Sequence, residues 1–210
     1  MIGTGDILLP TSYFPPLSYF AYLIRSNHAE IEQMETFPKQ TYRNRCEIMT
    51  AAGKAKLIIP ITKPQGNHTL TGNIEICYRE PWRDQHWKAL QTAYSSSPFF
   101  SYYTDIIHPL FESRETILIE HNLSILRTVS ILIGVDILVE FTRDYIKAPL
   151  EGSDYRKQFS PKCKLPLIDF LRYPQVFEHK YGFMPNLSIL DLLFNVGPKA
   201  GRYIERLIQL

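Results

Sequence analysis

No stretch constrains the fold more than residues 6–33. Ile7-Leu8-Leu9 is a short apolar run that ends at Pro10 and a polar turn, Thr11-Ser12, as a buried strand passing into a loop does. Pro15-Pro16 then fixes backbone angles that favour a helix start. Leu17, Phe20, Leu23 and Ile24 recur at helical spacing, which predicts a helix over residues 16–25. Asn27-His28 ends it, and Ala29-Glu30-Ile31-Glu32-Gln33 follows as a second strand. Strand, helix and strand in so short a span make a βαβ unit. Its first turn, Thr11-Ser12-Tyr13-Phe14, would lie at a strand's carboxyl end, where open α/β sheets bind ligands.

Beyond this unit the pattern turns antiparallel. Cys46 to Thr50, a turn at Ala52-Gly53-Lys54, and Lys56 to Ile61 read as a hairpin, and Asn73 to Tyr78 as a further strand. Pro81 opens a helix to Tyr94, and the ring-rich run Phe99 to Phe111 forms another, bent at His108-Pro109. Thr116 is placed to cap a third helix that ends at Gly134, before a strand over Asp136 to Thr142. Residues 143–166 mix Arg143, Lys147, Arg156, Lys157, Lys162 and Lys164 with Pro149, Gly152 and Pro161, and read as a loop or lid. Pro185-Asn186 is expected to cap a last helix running to Val196, closed by Gly197. The expected class is therefore α/β. We expect a three-layer arrangement with a mixed sheet, the N-terminal βαβ unit and helices on both faces, in one domain over residues 1–210.

Two places carry the chemistry. The first is Phe37-Pro38-Lys39-Gln40-Thr41-Tyr42-Arg43-Asn44-Arg45-Cys46, the densest cluster of cations, amides and rings in the chain. If extended, it puts Lys39, Thr41, Arg43 and Arg45 on one side and Gln40, Tyr42, Asn44 and Cys46 on the other. Three cations in one row call for an anion against them, whether a ligand's phosphate or carboxylate or the chain's own acids; a plain charged edge strand is the third reading. The second is the final helix, where Ser188, Asp191 and Asn195 form one polar stripe on an apolar element. Asp191 either answers Arg43 or Arg45, or faces a pocket. His86 on the helix after Pro81 is either a packed, hydrogen-bonded residue or an acid–base group.

Several classes are excluded. A formal net charge of +2 is too small for a general nucleic-acid binder. Cys46, Cys77 and Cys163 form no paired motif, which speaks against a disulfide framework or structural zinc and for a reducing, cytoplasmic setting. The most apolar stretch, Ile117 to Val135, carries Glu120, His121 and Arg127, so no membrane span is expected. No Gly-rich phosphate loop, nucleophile elbow or metal signature is present, and neither cofactor nor metal is expected.

The chain resembles the WbqC-like family. The likeness rests on Tyr13-Phe14-Pro15-Pro16 with Tyr19-Phe20, on Phe37-Pro38-Lys39-Gln40 with Arg43-Asn44-Arg45, and on Trp82 with His86-Trp87 and Tyr94. It continues through Pro185-Asn186-Leu187-Ser188-Ile189-Leu190-Asp191-Leu192-Leu193-Phe194-Asn195 and Gly197-Pro198. The resemblance implies a bacterial setting in surface-polysaccharide, O-antigen and lipopolysaccharide assembly. Together these residues give the expectation of a transferase acting on a sugar or nucleotide-linked sugar. Its anionic group would be held by Lys39, Arg43 and Arg45, with Tyr13, Gln40, Tyr42, Asn44, Asn186 and Asn195 completing the binding set and Asp191 or His86 moving a proton. The alternative is a non-catalytic binding or assembly protein of the same pathway, with an exposed aromatic patch around Phe99 to Tyr103.

Overall fold

A computed structural model describes residues 6–26, 28–136, 138–147, 153–161, 163 and 168–207. In chain order the elements are β1 (Ile7–Pro10), α1 (Leu17–Leu23), β2 (His28–Glu32), β3 (Arg45–Thr50), β4 (Gly53–Ile58), β5 (Ile61–Thr62) and β6 (Glu75–Ile76). There follow α2 (Trp82–Tyr94), α3 (Phe100–Ile107), α4 (Pro109–Glu112), α5 (Leu118–Leu132), β7 (Leu138–Phe141), β8 (Ser153–Asp154), α6 (Glu178–Tyr181), α7 (Ile189–Val196) and α8 (Ala200–Arg206).

The N-terminal βαβ unit forms as its pattern requires, with β1 and β2 parallel and Ile7 opposite Ala29. They sit at the centre of a four-stranded sheet ordered β7-β2-β1-β8, in which every pairing is parallel. All four residues of β1 are buried, the signature of a strand covered on both faces. The class is α/β, but the expected mixing of strand directions within one sheet is corrected. The β3–β4 hairpin and the β5–β6 pair are separate two-stranded sheets. Local alternation and a Gly turn specify an antiparallel neighbour, but not whether the pair joins a larger sheet. Here Tyr94 and Ser188 engage the hairpin from outside: the Met49 amide donates to Tyr94 Oη, and the Ser188 amide to the Glu47 carbonyl.

Three other expectations are corrected. Phe37 to Cys46 is not extended throughout, because Gln40 has φ +61° and Tyr42–Asn44 forms a 3₁₀ turn. Thr41 Oγ1 accepts from the Arg43 amide there, so the side-chain alternation lapses before Arg45 begins β3. Thr116 does not cap α5; Ile117 holds that position, and the Thr116 carbonyl instead accepts from the Ile76 amide. Asn186 does not cap α7. Ser188 does, and Asn186, at φ +57°, turns its Oδ1 to the Ser18 amide in the first turn of α1. The span expected as a loop or lid includes β8, which joins the sheet beside β1; residues 148–152, 162 and 164–166 of that span lie outside the described residues, as do Asn27 and Ile137 of the expected helix end and strand.

α8 closes against the carboxyl end of α5 at Gly201, where a Cβ would come within 2.1 Å of the Ile133 carbonyl oxygen. Helix propensity alone predicts that Gly201→Ala stabilises by about 1 kcal/mol. The close approach reverses the sign: overpacking against backbone predicts a loss of roughly 1–3 kcal/mol, read as a lower midpoint in urea unfolding.

Candidate functional site

Because the sheet is parallel, the carboxyl ends of its strands share one edge. β2 and β7 lie on one side of β1 and β8 on the other, so the chain's direction of travel switches at β1, the place where open α/β sheets leave a crevice. Charged side chains gather along that edge. Glu32, which ends β2, has no solvent exposure and accepts from the Met34 and Ile146 amides, the Thr142 hydroxyl and Arg156 Nη1 (3.0 Å). A buried carboxylate needs such a shell of donors. Arg156 in turn grips Asp154, the last residue of β8, through Nε at 2.9 Å and Nη2 at 2.6 Å. Glu32 thereby joins the ends of β2, β7 and β8.

The second half of the cluster is Glu35 with Arg43. Arg43 is only 2% exposed and donates from Nε to Glu35 Oε1 at 3.0 Å; Nη2 meets the same oxygen and also the Arg156 carbonyl. Glu35 keeps 16% of its side chain exposed. With Met34, Thr36 and Tyr145 it lines a cavity of about 350 Å³. Burial raises the Glu35 carboxyl above its ordinary range, outweighing the Arg43 charge and hydrogen bonds, which pull it down. Burial likewise lowers the Arg43 guanidinium. Arg43 and Arg156 are thus spent on Glu32, Glu35 and Asp154, and the open oxygen of Glu35 is what the cavity presents.

The other candidate residues occupy different places. Tyr13 is fully buried, and its Oη lies 3.0 Å from His86 Nδ1. The His86 ring also bonds the backbone of Ile58, so Nδ1 accepts from Tyr13. Burial takes His86 down to about 4 and His121, stacked on Tyr13, likewise to about 4. Asp191 is closed in: it accepts from Tyr94 Oη at 2.9 Å, Tyr173 Oη at 2.6 Å and Gln175 Nε2 at 2.8 Å, and meets neither Arg43 nor Arg45. Burial pushes its carboxyl up against those three bonds. Asn195 donates to the Asp191 carbonyl, Asn44 to the Ile59 carbonyl, and Tyr42 Oη to Glu47 at 3.5 Å. Lys39 and Gln40 are exposed, and Arg45 is half-buried. Burial also raises the Cys46 thiol, so the neighbouring Arg45 does not activate it. The turn after β1 carries Tyr13 to the same edge, its amide donating to the Tyr42 carbonyl, but of the residues singled out from the sequence it is Arg43 whose side chain bonds into the charged cluster there. Glu32, Glu35, Tyr145, Asp154 and Arg156 were missed; the available signal was a strand ending in an acid, Glu32, three residues before a second acid.

The amides at the start of α1, which hold phosphate in many α/β folds, are already taken. Leu17 donates to the Leu187 carbonyl at 3.1 Å, and Ser18 to Asn186 Oδ1 at 2.9 Å. Among the described residues no three His, Cys, Asp or Glu side chains are placed to hold a metal ion, and no helix is long and apolar enough to cross a membrane.

Fold and site together define an α/β protein with a polar cavity at the carboxyl edge of a parallel sheet. More specifically, the chain belongs to the WbqC-like protein family, whose model matches residues 11–156 and 160–203. It is similar to the uncharacterized protein Rv1507c of Mycobacterium tuberculosis, 24% identical over 223 residues that span 94% of this chain and 96% of that protein. No solved structure matches.

Proposed function

We propose that the protein is a transferase acting on a sugar or an activated sugar of bacterial surface-polysaccharide assembly, with Glu35 as its general base. The observation that carries this reading is a carboxylate at a cavity of about 350 Å³, raised in pKa by burial and oriented through Oε1 by a buried arginine. A base works best when its pKa approaches the working pH and its geometry is held fixed. Glu35 takes the proton of an acceptor hydroxyl as that oxygen attacks the donor's electrophilic carbon. The new C–O bond forms as the bond to the leaving group breaks, and the leaving group departs with the electron pair. Arg43 acts through Glu35 rather than on an anion, and neither Lys39, exposed, nor Arg45, half-buried, lines the cavity. Tyr13 with His86, and Asp191 with Asn195, hold the fold around the site.

The alternative of a non-catalytic assembly protein has less support. Of the rings from Phe99 to Tyr103 only Tyr102 is widely exposed, at 67%, while Phe100 and Tyr103 are buried, and with Ile106 one turn on this is too little for a docking patch.

Thermal-shift and mass-spectrometric screening against nucleoside-diphosphate sugars and sugar acceptors tests the reading. For a stabilising pair, Glu35→Gln is expected to lose roughly 10²–10⁴-fold in turnover while keeping the melting shift. Turnover in the wild type should rise with pH through the raised Glu35 pKa, because the base must be unprotonated. A Glu35→Gln protein as active as wild type, or no stabilising sugar at all, counts against it.

A further inference from the structure

We infer that Tyr145 is the platform on which the sugar ring rests and that Arg156 is the residue that positions it; this builds on the reading of the Glu35 cavity. Tyr145 lines that cavity together with Glu35 and is 56% exposed. Exposed tyrosines on loops are ordinarily free to turn, but this one is held. The Arg156 guanidinium sits over its ring at 5.3 Å from the centroid, a cation–π contact. The next residue, Ile146, donates its amide to Glu32 Oε2 at 3.2 Å.

Arg156 in turn cannot turn away, because Asp154 and Glu32 take its three guanidinium nitrogens. One ring face is therefore backed by a clamped cation, and more than half of the side-chain surface is left open beside a carboxylate. A flat apolar face next to a hydrogen-bond acceptor matches a hexose, whose C–H face packs on the ring while its hydroxyls reach the acid. Arg43 and Arg156 are already bonded to Glu35, Asp154 and Glu32, so neither is open to an anionic group in the same position.

Saturation-transfer NMR on the full chain tests this, with methyl glucoside, N-acetylglucosamine and glucose 1-phosphate as probes and Tyr145→Phe, Tyr145→Ala and Arg156→Lys as variants. Tyr145→Phe should bind a neutral sugar as wild type does, and Tyr145→Ala roughly five- to tenfold more weakly. Arg156→Lys should weaken binding to a similar degree, with no further loss when it is combined with Tyr145→Ala, since the two act through one ring. Preference for glucose 1-phosphate over both neutral sugars overturns the proposal. So does Tyr145→Ala binding as tightly as wild type, in which case the cavity reading stands. If the wild-type chain binds none of the probes, the cavity reading fails and takes the platform with it.

Discussion

On acidification from pH 6.5 to about 4 the fold should lose several kcal/mol of stability through His86 and His121. Both are buried, and their folded pKa values of about 4 lie below the ordinary 6.5. The unfolded chain therefore binds the protons first. Stability from this source is complete above pH 6.5, declines as pH falls toward 4, and is level below that. Each histidine supplies at most about 3.5 kcal/mol, since one pKa unit is worth about 1.4 kcal/mol. The two do not simply add, because charge on His121 also disfavours charge on His86. Glu35 and Asp191, with carboxyls raised by burial, work in the opposite sense across the acid range. Following the histidine ring protons by NMR during acidification separates the contributions. His86 and His121 should stay neutral until pH is near 4; titration of both near 6.5 would show that their sites admit water and charge.

Asp191→Ala should be the most damaging substitution in α7, at roughly 3–5 kcal/mol. It removes the one acceptor shared by Tyr94, Tyr173 and Gln175, all buried. Each buried donor left without a partner costs about 1–3 kcal/mol. Tyr94 also receives the Met49 amide, so the loss spreads from α2 and α7 into β3. Equilibrium urea unfolding measures it. An unchanged midpoint accompanied by loss of turnover would instead make Asp191 a group of the chemistry.

Local patterns carried much of this structure in plain view. The apolar run Ile7-Leu8-Leu9, the prolines before α1 and the spacing of Leu17, Phe20 and Leu23 were enough to place β1, α1 and β2. The bend at His108-Pro109 and the hairpin turn at Gly53 were equally local. The edge of the sheet was not legible, because what matters there is who meets whom. Arg43 advertises a charge, but its partner Glu35 lies on the far side of a left-handed turn at Gln40, and Arg156 arrives from 113 positions away. β8 is two residues long, and no periodicity can be read from two residues. Asn186 looked like a cap and is one, for a helix 168 residues earlier. Polar side chains announce that a partner exists; only the tertiary fold says which one.

Amide NMR mapping of a bound sugar on the full chain tests the central claim most directly. Saturating the protein with the most stabilising sugar should shift the resonances of Met34, Glu35, Thr36 and Tyr145, and substituting Glu35→Gln should cut turnover by roughly 10²–10⁴-fold without moving that footprint. Shifts confined to the surroundings of Tyr13 and His86, or of Asp191, would place the site elsewhere and contradict the account.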